Sequence, residues 1–465
     1  MSLTLPDSRA MDRPARRRTL PKGVAFFLQA SLVVSFLAAS SSPTPLYAVY
    51  QAEWGFSPIT TTVVFGVYAL AVLASLLTLG SLSDHIGRRP ILLVAIALQM
   101  ATMLILTTAS GVPDLLIARI VQGISTGAAL GAVGAGMLDL DRAKGTIANA
   151  VTPMTGTATG SIASGLLVQF LPFRTHLVYL VLLGIFLLQG VGVALMAETS
   201  SPKPGALASL RPRLGVPRAA RRPMLVAVPV LVALWALAGF YGSVAASVVR
   251  LVVGSSSALL GGLALFILAG GGAASVIPLR TRPARQVMML GAVALIVGTG
   301  AVLLSVDGRS TAGFFIGTAV AGVGFGAGFQ GAIRTVVPYA APHERSGLLS
   351  TVYAVSYLAM GLPAVIGGVL VVHGGGLLPT TREYGLTVMA LAAVALLGLL
   401  LMRGSAAPVD GDGAPAAAGA VAGSVDPVAA SAQRPASASS DERSRPLAAC
   451  TSAASTAPQS SPRSR

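Results

Sequence analysis

Charged residues and cysteines are scarce in this chain, and each scarcity excludes a class of protein. Only 10% of the 465 residues are charged, whereas a soluble domain carries about 25%. Because 54% of the residues are hydrophobic, the chain could not cover a water-facing surface, and it needs lipid as part of its solvent. The single cysteine, Cys450, excludes intrachain disulfides and cysteine-based metal sites. The sequence also lacks a Ser-His-Asp set, metal-ligand spacing and a phosphate-binding loop, so we expect no enzyme activity, no metal and no cofactor.

Apolar runs of membrane-spanning length recur along the chain. A bilayer core of about 30 Å needs about 20 apolar helical residues, and lipid offers no partner for backbone polar groups, so each run is predicted to be a helix. The predicted spans are Val24–Ser42, Ile59–Gly80, Ile91–Ala109, Leu115–Leu138, Ile147–Phe170, Leu177–Ala197, Met224–Val249, Ala258–Ile277, Val287–Val306, Gly313–Val337, Leu348–Val372 and Tyr384–Met402. The sequence therefore predicts an all-α integral membrane protein of about 12 transmembrane helices.

The net charge of +16 is distributed over alternate loops. The positive-inside rule places such loops in the cytoplasm, so we expect a multi-pass protein of the cell membrane with both termini cytoplasmic. No basic stretch is interleaved with aromatic residues, so we expect no nucleic-acid partner. The basic loops contain Arg9 to Lys22, Arg88, Arg89, Arg142, Lys144, Lys203 to Arg222, Arg280, Arg282, Arg285 and Arg345, against Arg174, Arg250, Arg309 and Arg382 in the other loops.

A Pro-rich basic linker divides the predicted spans into two sets of six. Gly123 and Gly127 in the fourth span have the same spacing as Gly322 and Gly326 in the tenth. Parallel six-helix repeats of this kind build one large class of transporters. We predict a cytoplasmic N-terminal segment (1–23), a six-helix bundle (24–198), a cytoplasmic linker (199–223) and a second, pseudo-symmetric bundle (224–403). The Ala-, Ser-, Pro- and Gly-rich residues 404–465 are predicted to be a disordered cytoplasmic tail.

The loop between the second and third predicted spans carries the most specific motif. It places an acid and two bases between two glycines, in the order Gly80, Asp84, Gly87, Arg88 and Arg89. This pattern resembles the signature loop of the major facilitator superfamily, with His85 standing where that family most often has a basic residue. The resemblance implies a gating loop in which Asp84 accepts hydrogen bonds from Arg88 and from a helix N-terminus in the other half. Ordinary positive-inside charge would explain the two arginines but not Asp84 and the glycines.

The fourth predicted span holds Arg119, the only charged residue well inside any span. Such a charge costs at least about 2.5 kcal/mol and usually faces a bundle interior or a wet cavity. Gln122 lies on the same helix face. The segment is similar to the family's helix-four motif, which implies a role in proton and substrate coupling for Arg119, while snorkelling to the surface is the alternative. No acid lies near the middle of a span, so Asp114, at the outer end, is our candidate for a titrating group.

Glycines are regularly spaced in several predicted spans, where they permit close helix approach. In the fifth span they are similar to a motif of the family's drug–proton antiporters, although Ser161 stands where that motif has proline. Helix packing alone explains them equally well. The glycines concerned are Gly123, Gly127, Gly156, Gly160 and Gly361.

Polar and aromatic side chains in helices one, four, seven, ten and eleven are candidates for lining a substrate cavity. An apolar cavity with a few polar groups suits a lipophilic ligand. The candidates are Gln29, Ser35, Arg119, Gln122, Trp235, Tyr241, Gln330, Tyr353 and Tyr357.

These features, with the resemblance, predict a monomeric secondary transporter that exports a lipophilic or amphiphilic small molecule by alternating access. Coupling to protons, as in an antiporter, is left open. A second interpretation is uptake of a sugar or organic acid, although sugar hydroxyls need more paired polar groups than the spans offer. A third, from another class, is a membrane receptor or scaffold that does not transport.

Overall fold

Twelve long helices form the framework of the part of the chain that the structure describes. The computed structural model describes residues 19–255 and 257–402, and within them the regular structure is entirely helical. The helices are α1 (Lys22–Ser41), α2 (Pro58–Leu79), α3 (Arg88–Thr108), α4 (Val112–Leu140), α5 (Arg142–Phe170), α6 (Leu177–Leu195), α7 (Arg221–Ser243), α8 (Ala258–Leu279), α9 (Ala284–Asp307), α10 (Thr311–Val336), α11 (Arg345–His373) and α12 (Leu377–Leu401). The prediction of an all-α membrane protein with about 12 helices is confirmed.

Two short helices follow α1 and α7 and were not predicted. Tyr47–Trp54 follows the Pro43-Thr44-Pro45 segment, and Ala245–Val253 follows a break at Val244. Each ends at a glycine with left-handed backbone, Gly55 (φ 67°) and Gly254 (φ 68°). The seventh span predicted to reach Val249 was therefore wrong at its end, because an apolar run does not reveal where a helix changes direction.

Eleven of the long helices in the described ranges have the length and apolarity of membrane spans, and α5 does not reach that apolarity. Its sequence is rich in threonine and serine. Several of these hydroxyls bond to carbonyls one turn earlier in the same helix, as Thr152 does to Ala148 (2.8 Å) and Thr155 to Val151 (3.0 Å). Such bonds reduce the cost of placing a hydroxyl in lipid.

The apolar interior consists of three clusters of buried side chains. One lies mainly among α7–α12, one among α1–α6, and a third joins α2 to α11 through residues such as Phe65 and Met360. The described residues belong to one compact unit, so the division into bundles at 199–223 stays a prediction. Residues 1–18 and the predicted tail at 404–465 lie outside the described residues.

Candidate functional site: a central cavity and a charged loop

A cavity of about 200 Å³ lies between the helices of the two predicted halves. Eight helices line it: α1, α2, α4, α5, α7, α8, α10 and α11. Within the described ranges, none of its lining side chains is charged. Its aromatic residues are Phe65, Tyr68, Trp235, Phe325, Phe329, Tyr353 and Tyr357, and its polar residues are Ser40, Ser41, Thr44, Asn149, Thr157 and Gln330.

Trp235 is the centre of the aromatic wall. Its ring centroid lies 5.7 Å from that of Phe325, 5.6 Å from that of Phe329 and 5.6 Å from that of Tyr357. Its Nε1 and the Oε1 of Gln330 are buried without a protein hydrogen-bond partner among the described residues. An unpartnered buried polar group costs about 1–3 kcal/mol, so a ligand that supplied partners would recover part of that free energy.

The structure places the predicted cavity residues in two groups. Trp235, Gln330, Tyr353 and Tyr357 line the cavity, whereas Gln29, Ser35, Arg119, Gln122 and Tyr241 do not.

Three of the five residues outside the lining pack between helices. Gln29 lies against Gly136 of α4, with its Nε2 3.4 Å from Sδ of Met196. Ser35 accepts a hydrogen bond from Nε2 of Gln189 (2.9 Å), and the Tyr241 hydroxyl is 2.8 Å from that of Thr318. These polar residues lie in predicted spans, but sequence position alone did not show which helix face meets the cavity.

Arg119 lies one layer behind the cavity wall. Its side chain is 1% exposed, which excludes snorkelling to the surface. Its Nη1 donates to the carbonyl of Ser40 (2.9 Å) and to Oε1 of Gln122, and its Nε donates to the hydroxyl of Tyr47 (3.0 Å). The amide of Gln122 donates in turn to the carbonyl of Ala39 (3.1 Å), which fixes its oxygen toward the guanidinium. No sequence pattern pointed to Tyr47, which lies in the unpredicted short helix Tyr47–Trp54.

The candidate packing glycines lie where neighbouring helices approach closely. A Cβ at Gly123 would lie 2.9 Å from the carbonyl oxygen of Tyr68, and one at Gly127 would lie 2.6 Å from Cβ of Ser75. Because both positions lack a side chain, α2 can pack closely against α4. Gly156 and Gly160 bring α5 against the backbone of α1, and Gly361 brings α11 to α2.

The charged loop is built around Arg88. Its side chain is 3% exposed and forms ion pairs with Asp84 and with Asp139 at the end of α4 (3.3 Å). Burial raises the pKa of the Asp84 carboxyl above its ordinary value, although Arg88 lowers it. The resemblance implied a second partner for Asp84, the N-terminus of a helix in the other half. Within residues 19–255 and 257–402, Asp84 forms no such pair.

Glu198 completes this loop and was not among the predicted site residues. Its carboxylate accepts hydrogen bonds from the backbone amides of Arg88 (2.8 Å) and Arg89 (3.0 Å), the first two residues of α3. A carboxylate at a helix N-terminus is stabilised by the unpaired amides and the helix dipole. Gly87 (φ 111°) makes room for it, because a Cβ there would lie 2.7 Å from Oε2 of Glu198.

The remaining predicted residues have simpler surroundings. Arg89 donates to the carbonyl of Ala194 on α6, and Gly80 lies at the end of α2 against Gly131 of α4. Asp114 accepts hydrogen bonds from the amide (2.8 Å) and hydroxyl (3.0 Å) of Ser110. It thus ties down the start of α4 and has no contact with the Arg119 network.

The two predicted halves are in close contact at the end of the helices away from the charged loop. We call this end the seam side and the end that carries Arg88, Arg142 and Glu198 the loop side. On the seam side, Thr44 donates to the carbonyl of Gly242 (3.1 Å) across the two halves. Gly262 of α8 lies against the carbonyl of Ser161 on α5, and Gly368 of α11 lies against Thr62 of α2.

A central cavity enclosed by long apolar helices, with a charged loop at one end, defines a helical membrane transport protein. The family description of the Major Facilitator Superfamily matches residues 28–357, so the chain belongs to that superfamily. Members of this family are membrane transporters of small molecules, and the chain is a multi-pass membrane protein of that kind.

Individual relatives agree with this assignment. A stretch of 172 residues is 28% identical to the MFS-type transporter mpsC of Macrophomina phaseolina and covers 35% of this chain. The matched stretch spans about a third (34%) of that relative's length. Among solved structures, the fold is similar to that of the human organic anion transporter MFSD10 (TETRAN), with a TM-score of 0.58 and 17% identity over 83% of this chain and 100% of that one. It is also similar to the nucleoside transporter NupG, with a TM-score of 0.60 and 12% identity over 82% and 98% of the two chains.

Proposed function

We propose that the protein is a secondary active transporter that exports a lipophilic or amphiphilic small molecule through the central cavity. The observation that carries this proposal is the lining: seven aromatic side chains, a few hydroxyl and amide groups, and no charged side chain within the described ranges. Apolar ligands bind such surfaces through buried area, while the few polar groups set orientation. A sugar would leave many hydroxyls without partners there.

The seam side gives alternating access a physical basis. Small residues bring α5 against α8 and α2 against α11 there, so the two halves can part along these contacts without unfolding a helix. The charged loop lies at the other end, where the Asp84–Arg88 pair and Glu198 hold α3. We infer that this pair stabilises one of the two access states and is rearranged in the other.

The proposed direction is export, and the predicted orientation identifies the side from which the described state would load. If the loop side is cytoplasmic, as the positive-inside rule predicts, the described state is closed to the outside and loads from the cytoplasm. We expect deletion of the gene to raise cellular accumulation of a toxic amphiphile. Lower accumulation would instead favour uptake, and no flux of any tested compound would favour a receptor or scaffold.

The gating assignment is tested by Asp84→Asn in proteoliposomes. We expect this variant to reach the membrane and lose transport, because it removes the charge that pairs with the buried Arg88. Asp307→Asn is the matched control, since Asp307 pairs with Arg382 (2.7 Å) in an exposed ion pair away from the cavity, and it should transport normally. Unchanged flux in Asp84→Asn would contradict the gating role.

Proton coupling is tested separately in the same vesicles. An imposed pH gradient should drive substrate accumulation if the transporter is an antiporter. Flux that is insensitive to the gradient would leave the transport assignment intact and remove the coupling.

A further inference from the structure

Arg119 is a buried charge that bonds directly to a residue of the cavity lining, the carbonyl of Ser40. No Asp or Glu within the described ranges forms an ion pair with Arg119. Its partners are the carbonyl of Ser40, the hydroxyl of Tyr47 and the amide oxygen of Gln122. The rings of Tyr47 and Tyr68 also lie beside the guanidinium, with centroids 5.6 Å and 5.1 Å from its carbon. These dipoles and ring faces solvate the charge, but they carry no net charge of their own and do not cancel it.

Two of these neighbours belong to the cavity wall. Ser40 and Tyr68 both line the cavity and both contact Arg119. The positive charge is thus separated from a ligand by one layer of side chains in a low-dielectric interior. At an effective dielectric of about 20, a unit charge acting across such a layer changes the affinity for a charged ligand on the order of tenfold.

The aromatic side chains of the cavity would raise the affinity for a cation, because ring faces attract cations. This effect opposes that of Arg119. Trp235 would be the strongest such site, but three rings already surround it at 5.6–5.7 Å. A cation could therefore approach its faces only after these contacts open. The field of Arg119 needs no rearrangement, so we expect it to dominate.

We propose that the cavity selects substrates by charge, accepting neutral and anionic aromatic molecules and rejecting lipophilic cations, because Arg119 is an uncompensated positive charge behind its wall. This inference rests on the proposed function, which makes the cavity the substrate site. It narrows the substrate class from lipophilic molecules in general to those without a positive charge.

Tryptophan fluorescence gives a direct binding test on the purified full chain in detergent. The sequence holds two tryptophans: Trp235 lines the cavity, and Trp54 stacks on Tyr50 outside it (4.6 Å). Trp54→Phe leaves Trp235 as the only tryptophan, which can be excited selectively over the tyrosines. Three ligands of one shape but different charge then serve as quenchers: para-nitrobenzyl alcohol, para-nitrobenzoate and para-nitrobenzylammonium. Trp235→Phe, which retains Trp54, is the control for quenching outside the cavity.

We expect the alcohol and the benzoate to bind about tenfold or more tightly than the ammonium. Arg119→Gln should reduce this difference about tenfold, and Arg119→Lys, which keeps the charge, should retain it. If Arg119→Gln does not fold, the ligand series on the Trp54→Phe protein decides the question alone. Ammonium binding equal to or tighter than alcohol binding would overturn charge selection while leaving the cavity as a binding site. Quenching of Trp235 by none of the three would contradict the proposed function itself, and the inference with it.

Discussion

Gly87 and Glu198 form a joint between α3 and α6 in which each residue depends on the other. The carboxylate occupies the space that a side chain at position 87 would fill, and the backbone there has a φ of 111°. With ψ at 151°, this conformation lies in a region that essentially only glycine adopts, and another residue there would be strained by about 1–3 kcal/mol. The charged loop therefore needs glycine at position 87 as well as its charged side chains.

Gly87→Ala should lower stability by about 2 kcal/mol or more, since backbone strain adds to displacement of Glu198 from two amides. The melting temperature of the purified protein in detergent measures this loss. Gly184→Ala in α6 is the matched control, because a Cβ there meets nothing within 4 Å. Equal melting temperatures for the two variants would contradict the mutual dependence of Gly87 and Glu198.

Asp84 and Asp141 should respond to pH with opposite signs. Burial raises the folded-state pKa of Asp84, so its contribution to stability is present at low pH and is lost as pH rises through that raised pKa. The amide of Lys144 lowers the folded-state pKa of Asp141, so its contribution is present above the ordinary pKa and is lost as pH falls through the lowered one. Relative to Asp84→Asn, the unmodified protein should gain stability on acidification; relative to Asp141→Asn, it should lose stability. Melting curves of the three proteins from pH 7 down to about pH 2, which extends below the ordinary carboxyl pKa, check both signs.

The sequence predicted single residues of the site better than it predicted their partners. Asp84, Arg88 and Arg119 stood out because a charge beside or inside an apolar run is costly and needs a reason. Glu198 and Tyr47 did not stand out, since their roles depend on contacts with residues 110 and 72 positions away in sequence, respectively. Contacts between residues this far apart in the chain produce no periodic pattern in a single sequence.

At the scale of elements, hydropathy predicted where the long helices lie. Observed and predicted limits of α1 differ by one or two residues, while α12 begins at Leu377 rather than Tyr384. The early start of α12 was hidden because its first turns carry Pro379, Arg382 and Glu383. Polar first turns and short helices outside the apolar runs are the elements that a hydropathy pattern does not predict.

The contact between α2 and α11 can be locked by a disulfide. A Cβ at Gly361 would lie 3.3 Å from Cβ of Ala69, close to the separation of about 3.5–4.5 Å in natural disulfides. We expect Ala69→Cys with Gly361→Cys, in a Cys450→Ser background, to crosslink under oxidation and stop transport, and reductant to restore it. Each single-cysteine variant is the control. Full transport by the crosslinked protein would contradict separation of α2 from α11 during the cycle.

At the scale of the whole molecule, the predicted orientation in the membrane can be tested with inserted reporters. Reporters inserted after Arg250 or Arg382 should lie outside the cytoplasm, because these positions follow α7 and precede most of α12 on the seam side. A reporter after Arg213, in the linker, should be cytoplasmic. Compartment-specific enzyme reporters in intact cells distinguish the two. A cytoplasmic signal at Arg250 would contradict the predicted orientation. The described state would then load from the opposite side of the membrane.

The modest apolarity of α5 has a consequence for how the protein is made. Alone, this helix gains less than its neighbours from leaving the translocation channel for lipid, and its glycines pack against α4, α1 and, through Gly165, α8. Its final position thus depends on a partner that is synthesised about a hundred residues later. We therefore expect the first half to reach its final packing only after the ribosome has delivered part of the second.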